Sequence, residues 1–491
     1  MDYALLLADP ASGQEASRRP RQRQLYEALR AAILNGKLAP GARLLSSREL
    51  AQTLGIARNA VLYAYERLGD EGLLRADRQG SCVARLGLPT PGPGSDARDG
   101  VLPGLSQRVG VLHGLPRSGR TRAFAPGVPA LDEFPVARWR ASVDRAWRLA
   151  GHAELGYGDS AGHPALRRAI ADHLRLTRGV RCEPRQVFVT DGIQGGLDLC
   201  ASLLADEGEL AWMEHPGYLG AYAAFRRAGL RILPVPVDRH GMNAPASLWR
   251  RAPPRLVYVT PSHQYPVGGV LSLARRAALL DAARSHGAWL IEDDYDSEFH
   301  RDGQPLPAIQ GLDVQTPAVY LGTFSKTLFP ALRLGYVVMP ASLADDFARV
   351  AGGVSRQGRL VEQSALADFI ERGEYGRHLR RMRRLYAQRC AALGAALQRH
   401  LGAALALEGA AGGMHLCAHL HGPCADDAIE RAAAAEGLIV PALSGYGLPG
   451  AMRPAPGLVL GYANVPAEQA DALAARLAQV IEQTLAPRTW A

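Results

Sequence analysis

The stretch Leu321-Gly322-Thr323-Phe324-Ser325-Lys326-Thr327-Leu328 holds one of only two lysines in the chain, the other being Lys37, although lysine and arginine together number 56. Only a primary amine that can lose its proton forms a Schiff base with a carbonyl group, whereas arginine stays charged at any usable pH. Retention of lysine at position 326 therefore indicates a cofactor anchor. The alternative is that codon composition removed most lysines and left two by chance.

The run Trp289-Leu290-Ile291-Glu292-Asp293-Asp294-Tyr295 predicts a buried strand that ends in polar residues. Side chains alternate along a strand, so Asp293 and Tyr295 share one side, and ligands collect at the carboxyl ends of such strands. A carboxylate keeps a pyridine nitrogen protonated, and a phenol hydrogen-bonds a ring hydroxyl. Because Lys326 follows the next predicted strand, residues 318–322, these residue types predict a pyridoxal 5'-phosphate site. A helix cap or turn is the alternative role for Asp293.

The phosphate group of such a cofactor has its own candidates. The Gly-rich turn at residues 190–198 follows a predicted strand, so a helix N-terminus presents backbone N–H groups to an anion. Arg333 adds a charge that grips phosphate in two places, and Thr323 and Ser325 offer hydroxyl groups. Tyr218 follows another predicted strand, where its ring either stacks on the pyridine or is an ordinary core tyrosine.

The front of the chain predicts a different module. Helical periodicity at residues 24–38, a Ser-capped helix starting at residue 46 and a third helix at residues 57–68 indicate a helix-turn-helix. Residues 73–75 and 81–83 predict a small hairpin wing, although any three-helix bundle has similar helical periodicity. The third helix carries its polar residues near its N-terminus, where recognition helices contact bases. The predicted DNA-binding residues are Arg43, Ser46, Ser47, Arg48, Arg58, Asn59, Gln79 and Gly80.

Six motifs beyond residue 124 resemble the fold-type I, aspartate-aminotransferase-like family of pyridoxal phosphate domains. They are Gly156–Gly162, Gly192–Gln194, His215–Tyr218, Thr260–Pro266, Glu292–Phe299 and the Lys326 run. The resemblance implies that Lys326 forms an internal aldimine, Asp293 contacts the ring nitrogen, Tyr295 the ring oxygen, and Tyr218 stacks on the ring. It also implies phosphate contacts from Ile193, Gln194, Thr323, Ser325 and Arg333, with Tyr157 reaching in from a partner subunit.

The front module resembles the GntR-type winged helix through Pro40–Leu44, Ser46–Ala51, Leu54–Ile56 and Ala64–Leu68. Both parts together resemble the MocR/GabR-type regulators over nearly the entire chain. This implies a multidomain protein, with a mostly helical winged helix-turn-helix followed by a large α/β domain. The predicted divisions are an extension at 1–20, a winged helix at 21–85, a linker at 86–122 and the aminotransferase-like domain at 123–491. Leu45, Ala57 and Ala60 depart from the usual Pro, Ser and Thr, so operator contacts differ.

Composition agrees with a DNA-binding protein. A net charge of +9 favours a polyanionic partner such as double-stranded DNA, although excess arginine also solvates surfaces. The six cysteines lack metal-ligand spacing, so no metal site is expected. No secretory signal and no run long enough to cross a bilayer stand in the sequence, which predicts a cytoplasmic protein without membrane contact. The resemblance implies a homodimer, with a domain-swapped form left open.

Two functions remain open from the sequence. The first is a transcription regulator whose aminotransferase-like domain senses an amine, an amino acid or pyridoxal phosphate itself, by aldimine exchange or by cofactor occupancy. The second is a working aminotransferase with an accessory DNA-binding domain. Aminotransferases of this fold hold the substrate carboxylate with an arginine where this chain has Val459. Arg453 is the candidate effector contact from a preceding loop, or a surface arginine. Tyr265 replaces a usual asparagine, and the regulator with little or no turnover is favoured.

Overall fold

The computed structural model describes residues 20–77, 80–85, 122–301, 306–313, 315–355, 358–409, 411–422 and 424–485. The chain divides into two compact units, Met1–Gly104 and Leu105–Ala491. The predicted extension at 1–20 and linker at 86–122 fall almost wholly outside the described residues, and so does Gln79 of the predicted wing.

The first unit is a three-helix bundle with a β-hairpin. Its helices and strands are α1 Arg21–Leu34, α2 Ser47–Leu54, α3 Arg58–Asp70, β1 Leu74–Asp77 and β2 Gly80–Val83. The start of α2 is fixed by a capping box, in which Ser46 Oγ accepts from the Glu49 N–H at 3.3 Å and the Glu49 carboxylate accepts from the Ser46 N–H at 3.0 Å. Gly55, with φ of 62°, ends α2 in the left-handed conformation that favours glycine. These local signals produce the short turn between α2 and α3.

The first helix differs from its predicted bounds of 24–38. It begins at Arg21 and ends at Leu34, because Gly36 adopts a φ of 72° that a continuing helix does not allow. Leu38 folds back, donates its N–H to the Ala32 carbonyl at 2.9 Å and is buried in the bundle core. The stop signal Asn35-Gly36 in the sequence thus marks the helix end, and Leu38 fills the same core from the following turn.

The second unit is built on an eight-stranded mixed sheet in the order β3-β10-β9-β8-β7-β4-β5-β6. Its strands are β3 Val187–Thr190, β4 Leu210–His215, β5 Arg231–Asp238, β6 Gly241–Met242, β7 Leu256–Val259, β8 Trp289–Asp294, β9 Ala318–Thr323 and β10 Gly335–Val338. Strands β5, β4, β7, β8 and β9 run parallel to one another, whereas β10 pairs antiparallel with both β3 and β9. The central strands are buried along their length, as expected for a sheet covered on both faces.

Helices surround this sheet, and a smaller three-stranded antiparallel sheet follows. The helices are α4 Val136–Leu149, α5 His152–Leu155, α6 Pro164–Arg178, α7 Gly192–Leu204, α8 Leu219–Arg227, α9 Ala246–Arg251, α10 Leu273–His286, α11 Ala341–Val354, α12 Leu360–Glu371, α13 Glu374–Leu401, α14 Asp426–Ala435 and α15 Ala470–Leu485. The small sheet consists of β11 Leu405–Glu408, β12 His415–Leu420 and β13 Gly457–Gly461, in the order β11-β12-β13.

The carboxyl ends of the parallel strands bring the predicted motifs to one edge of the large sheet. His215–Tyr218 follows β4, Thr260–Pro266 follows β7, Asp293 and Tyr295 stand at the end of β8, and Lys326 lies just beyond β9. Ligands of open α/β sheets bind at this edge. Among the described helices, none combines the length and apolar content that crossing a membrane requires.

Candidate cofactor and DNA sites

Lys326 lies in the loop after β9, with its amine turned towards the segment that precedes α4. Its Nζ donates to the Gly127 carbonyl at 2.9 Å. Gly127 has a φ of 70°, which favours glycine, and a Cβ atom at residue 127 would lie 2.5 Å from Nζ, so the amine would have to move. Burial lowers the pKa of Lys326, against the opposing effect of Asp296 and Asp293. A desolvated amine of this kind is suited to attack a carbonyl carbon.

Asp293 lies at the end of β8, where one carboxylate oxygen has a partner and the other has none. Its Oδ2 accepts from the Tyr258 hydroxyl at 2.6 Å, whereas Oδ1 is buried and finds no hydrogen-bond donor in the described part of the chain. Burial raises the pKa of Asp293 to about 7. A buried acceptor without a donor is costly, and a protonated pyridine nitrogen is the type of donor that satisfies it.

The neighbouring Asp294 has a different environment, as strand alternation predicts. It accepts from Arg178 Nε at 2.8 Å and from the Tyr320 hydroxyl at 2.7 Å. Arg178 lowers the pKa of Asp294 despite burial. This carboxylate is held in a buried ion pair through Oδ2, although its Oδ1, like that of Asp293, has no partner among the described residues. The ion pair and the lowered pKa of Asp294 distinguish it from Asp293, whose pKa burial raises.

Tyr295 follows β8 and contacts the loop after β7. Its hydroxyl donates to the His263 carbonyl at 2.8 Å and lies 3.2 Å from His263 Nδ1. The same imidazole lies 3.0 Å from Asp296 Oδ2, and the ring of His415, at the start of β12, packs 4.5 Å from it. A cluster of His263, Asp296 and His415 thus lies beside Tyr295. The sequence placed His263 and Asp296 inside motifs without assigning them a role, and it gave no signal for His415.

Tyr218 and Tyr265 lie together after β4 and β7. Their rings meet edge to face with centroids 5.8 Å apart, and Tyr265 makes a second edge contact with Tyr295 at 5.8 Å. Burial and the nearby Asp293 raise the pKa of Tyr218, so its phenol stays neutral. The aromatic pair therefore bounds the space near Asp293.

The candidate phosphate site is formed by the start of α7 and by Arg333. Gly192, the first residue of α7, has a φ of 70°, and a Cβ atom there would lie 3.5 Å from the Arg333 guanidinium carbon. Arg333 Nη2 donates to the Asp191 carbonyl at 3.2 Å. The positive φ favours glycine at 192, and the Arg333 guanidinium lies beside the N–H groups of this helix start, which is an arrangement that binds anions.

A second arginine, which sequence reasoning missed, holds Arg333 in place. Arg333 has a φ of 51°, an uncommon conformation outside glycine. Arg359 donates to the carbonyls of Arg333 and Leu332 at 3.0 Å each and forms an ion pair with Asp191. Arg359 stands 26 residues beyond Arg333 in the chain, so no local pattern marks it.

The remaining predicted phosphate contacts surround the same position. Thr323 Oγ1 accepts from the Ser325 N–H at 3.2 Å, which orders the loop between β9 and Lys326. Ile193 packs against the domain core within the first turn of α7. The side chain of Gln194 donates to the Gly220 carbonyl at 3.1 Å, so the backbone of this turn is the part that remains for an anion.

Tyr157, predicted to act on a partner subunit's site, is 84% exposed on this chain. It follows α5 in a segment whose neighbouring apolar side chains Leu149 and Leu155 are also exposed, at 83% and 67%. Exposed apolar residues grouped in this way are typical of protein–protein contacts.

The two positions considered for carboxylate binding have other partners. Val459 lies in the middle of β13, fully buried in an apolar cluster with Cys417, Leu443 and Tyr446. Arg453 Nη2 donates to Ser444 Oγ at 2.9 Å and lies 3.4 Å from the carboxylates of Asp426 and Asp427. Arg453 also lines a surface cleft of about 460 Å³ that includes His215 and Gln264.

In the first unit, the predicted DNA contacts lie around α2, α3 and the wing. Arg48 and Asn59 are exposed, and Arg58 Nε donates to Ser47 Oγ at 3.2 Å, which joins the starts of α2 and α3. Ser46 caps α2, and Arg43 forms an ion pair of 3.3 Å with Asp77 of β1. Gly80 begins β2 with a φ of 122°.

The residues beyond β8 and β9 fit pyridoxal 5'-phosphate on their own chemistry. Asp293 Oδ1 lacks a donor among the described residues, Lys326 is a buried amine with a lowered pKa, and Arg333 lies beside Gly192 at a helix start. An acceptor for the ring nitrogen, an amine for the aldehyde and an anion cradle are the three contacts that this cofactor requires.

The chain matches two protein families. Residues 124–477 match the family described as "Aminotransferase class I and II", and residues 21–83 match "Bacterial regulatory proteins, gntR family". The "Probable rhizopine catabolism regulatory protein MocR" of Rhizobium meliloti is 41% identical over 91% of this chain and 90% of its own length. The "HTH-type pyridoxine biosynthesis transcriptional regulator PdxR" of Corynebacterium glutamicum is 34% identical over 74% of this chain and 76% of its own.

A solved structure resembles the second unit. The α-aminoadipate aminotransferase LysN from Thermus thermophilus, complexed with N-(5'-phosphopyridoxyl)-L-leucine, superimposes with a TM-score of 0.68, covers 78% of this chain and 96% of its own, and is 28% identical. The predicted fold class is confirmed, and pyridoxal 5'-phosphate is the cofactor of this class of domain. The first unit is a DNA-binding winged helix. The chain belongs to the MocR/GabR-type regulator family, in which a gntR-type winged helix is joined to an aminotransferase class I and II domain.

Proposed function

We propose that this protein is a pyridoxal phosphate-dependent transcription regulator that binds DNA as a homodimer. The observation that carries the proposal is the pairing of a winged helix with a cofactor site in which buried Val459 occupies the place of the carboxylate-binding arginine. Relatives named as regulators span nearly the same length of chain, which supports this function. The aminotransferase-like domain then serves as a sensor.

In this proposal Lys326 is the covalent anchor, Asp293 binds the ring nitrogen and Tyr295 the ring oxygen. The bound cofactor supplies an aldehyde carbon that forms reversible C=N bonds with primary amines. Tyr218 provides an aromatic surface for the ring. Asp293 Oδ2 is held by Tyr258 at 2.6 Å, so its other oxygen is fixed in direction.

The phosphate in this proposal is held by the start of α7 and by Arg333. The backbone N–H groups of Ile193 and Gln194 point to the same anion as the Arg333 guanidinium, and Thr323 and Ser325 add hydroxyl groups. Arg359 keeps Arg333 in its left-handed conformation through two carbonyl contacts at 3.0 Å. A rigid anion site is favourable because little side-chain entropy is lost on binding.

The DNA contacts in this proposal divide by role. Arg58 and Asn59, at the start of the recognition helix α3, read base edges, whereas Arg48 at the start of α2 binds phosphate. The hydroxyl groups of Ser46 and Ser47 lie at the same helix start, and Arg43 lies beside the wing strand that contains Asp77. Gly80, which begins β2, is the predicted wing contact among the described residues, and Gln79 stays a prediction from the sequence.

The homodimer is supported by the exposed apolar segment that includes Leu149, Leu155 and Tyr157. A second copy of this chain that covers the segment brings Tyr157 towards the partner's cofactor site. Each dimer then carries two winged helices, in a direct or a domain-swapped arrangement. An amine, an amino acid or the cofactor itself alters the geometry of the large domains, and this changes the spacing of the winged helices on DNA.

A working aminotransferase is the second candidate, because Lys326, Asp293 and Tyr295 form a complete cofactor set in a fold similar to LysN. Full transamination also requires the Cα–H bond and a base to be aligned, and misplacement by about 1 Å costs on the order of a hundredfold. With Val459 buried, no arginine on β13 supplies that alignment. Rapid production of keto acid from a common amino acid, over many turnovers, would establish the enzyme instead.

Footprinting of the full-length protein on the upstream regions of its own and adjacent genes tests the regulator. We expect protection of two half-sites that shifts when an amine or pyridoxal phosphate is added. The variant Lys326→Ala should still protect DNA but lose the response, with Lys37→Ala as the matched control. Absence of any protected region at moderate salt would refute the proposal.

A further inference from the structure

We propose that the sensed effector is a primary amine that carries hydroxyl groups and no carboxylate, recognised by a polar wall formed by His263, Asp296, His415, Tyr265 and Tyr446. This inference rests on the proposed sensor function, and it specifies the chemical class of the ligand. The wall adjoins Tyr295, whose hydroxyl lies 3.2 Å from His263 Nδ1.

The wall is close to the amine of Lys326. Asp296 and Asp293 lie near enough to Lys326 to raise the pKa of its amine, against the larger effect of burial. Tyr265 connects the wall to the candidate ring site, because its ring contacts Tyr218 and Tyr295 at 5.8 Å each and His415 at 5.3 Å. A ligand joined to the cofactor through its nitrogen therefore presents its other groups to this wall.

The wall is rich in hydrogen-bond acceptors. His263 Nε2 and Asp296 Oδ1 are buried and have no hydrogen-bond partner in the described residues. His415 Nε2 must donate to the Pro266 carbonyl at 3.1 Å, which leaves its Nδ1 as an acceptor. Burial lowers the pKa of His415 well below its usual value, so this ring is neutral. Acceptors of this kind require donors, which hydroxyl and amine groups supply and a carboxylate does not.

Arg178 and Arg276 line the cavity beside His263 and Asp296, but both already donate to protein groups. Arg301 likewise donates to the Tyr462 hydroxyl at 3.0 Å and to the Gly412 carbonyl at 3.3 Å. Arg178 donates to Asp294 and to Ser262 Oγ at 2.7 Å, and Arg276 donates to the carbonyls of Leu271, Pro307 and Pro261. Arg453 is held by Ser444 and Asp426. Bringing a ligand carboxylate beside Asp293 and Asp296 therefore adds like charge without a compensating guanidinium.

The position where an arginine would enter from β13 is filled by apolar packing. Val459 packs with Cys417, Leu443 and Tyr446, and Tyr265 rests against this cluster. The hydroxyl groups of Tyr265 and Tyr446 meet at 3.0 Å, and each can both donate and accept. A pair of phenols is suited to neutral hydroxyl groups. Beyond His263 and Asp296 lies a cavity of about 30 Å³ that is large enough for one water-sized group. It is lined also by Arg178, Arg276, Ser262 and Ser297.

The test compares two amines that differ at one group. Serinol (2-amino-1,3-propanediol) and L-serine share an amine and a hydroxymethyl group, and only serine has a carboxylate in place of the second hydroxymethyl. Binding to the full-length, cofactor-loaded protein is measured by calorimetry and by the visible spectrum. We expect serinol to bind at least tenfold more tightly than serine. Equal affinities, or tighter binding of serine, would overturn the inference, and so would the absence of binding by both amines.

Two variants test whether the wall residues cause the preference for serinol over serine. Asp296→Asn should weaken serinol at least tenfold while leaving serine weak, and His263→Arg should reverse the preference, because a guanidinium binds a carboxylate through two hydrogen bonds. Retention of the wild-type preference by both folded variants would overturn the assignment to this wall. The same acceptor atoms can also coordinate a metal cation. Elemental analysis of the purified protein tests this alternative. A stoichiometric divalent metal that is lost in His415→Ala would assign the cluster to metal and overturn the proposal.

Failure of this inference is separable from failure of the proposed function. Borohydride reduction followed by peptide mass analysis reports cofactor attachment at Lys326, and footprinting reports DNA binding. If both succeed and serine matches serinol, only the effector class is wrong. If Lys326 carries no adduct, the sensor function itself fails, and the inference fails with it.

Discussion

Gly127 and Lys326 are in direct contact, so a side chain at residue 127 would displace the lysine amine. Lys326 Nζ donates to the Gly127 carbonyl at 2.9 Å, and a Cβ atom at residue 127 would lie 2.5 Å from the same nitrogen. Gly127 also has a φ of 70°, which L side chains rarely adopt. The direction of the amine is therefore set by a residue almost two hundred positions earlier in the chain.

Gly127→Ala should displace the Lys326 amine and slow cofactor attachment by at least tenfold. The measurement is the rate at which visible absorbance develops after pyridoxal phosphate is added to apo protein. Gly208→Ala is the matched control, since Gly208 has a φ of 87° but open space around its Cβ position. Both variants share backbone strain of roughly 1 kcal/mol. An equal effect in both would show that the contact with Lys326 is unimportant.

Asp293 should make the apo protein less stable as the pH rises. Burial raises its folded-state pKa to about 7, above the unfolded value near 3.8, so the folded state binds more protons between these values. Stability from this group is thus present below about pH 4 and is lost as the pH approaches 7. At about 1.4 kcal/mol per pKa unit, a rise of roughly three units makes the full loss on the order of 4 kcal/mol.

Urea unfolding of apo wild type and Asp293→Asn between pH 5 and 8 measures this effect as a difference. We expect wild type to lose stability relative to Asp293→Asn as the pH rises, and saturation with pyridoxal phosphate to remove the trend, because a ring N–H stabilises the ionised form. Glu214, whose pKa burial also raises to about 7, provides Glu214→Gln as a control that keeps the Asp293 contribution. If the difference in free energy of unfolding between wild type and Asp293→Asn did not change with pH, the buried position of Asp293 would be contradicted.

The features that were predicted from the sequence each have a signal in neighbouring residues. Asp293 and Tyr295 follow from strand alternation, and Lys326 follows from the strand before it, which the structure places at Ala318–Thr323. The cap of α2 can be predicted from the sequence because Ser46 and Glu49 stand three residues apart. In each case the physical cause lies within a few residues, so the order of residue types is enough.

The features that the sequence missed depend on contacts between distant segments. Tyr258 reaches Asp293 from a neighbouring strand, His415 packs on His263 from the small sheet, and Arg359 holds Arg333 from the start of α12. Tyrosine in a strand or histidine in an apolar run is ordinary core composition. These roles arise only when the sheet order and the packing of the two sheets are known.

Substitutions in α2 and in α3 should have different effects on DNA binding. Those in α3 should reduce sequence discrimination, and those in α2 should reduce the affinity for any DNA. Arg58→Ala should reduce discrimination between operator and scrambled DNA by about 1–3 kcal/mol if it reads a base edge. Arg48→Ala should weaken both DNAs equally and lower the slope of log affinity against log salt by about 0.9, as expected for one lost phosphate contact. Fluorescence anisotropy over a range of salt concentrations measures both.

Arg349→Ala is the control for these DNA variants, because Arg349 is an exposed arginine on α11 of the large unit, paired with Asp346. It removes one positive charge at a residue outside the winged helix. If Arg349→Ala changed the salt slope as much as Arg48→Ala, the effect would be one of net charge. If Arg58→Ala left discrimination unchanged, the assignment of Arg58 to a base would be wrong.

Charge placed on the exposed apolar segment should weaken the dimer. Leu149 and Leu155 are 83% and 67% exposed, and burial of each against a second subunit contributes on the order of 1.5–3 kcal/mol. Leu149→Arg therefore removes this term and adds a buried charge, so sedimentation should show at least a tenfold weaker association. Leu273→Arg, on the exposed side of α10, is the control. Because Tyr157 is proposed to reach the partner's site, cofactor affinity should fall together with dimerisation. An unchanged dimer would contradict this arrangement. A monomer that kept full cofactor affinity would contradict it as well.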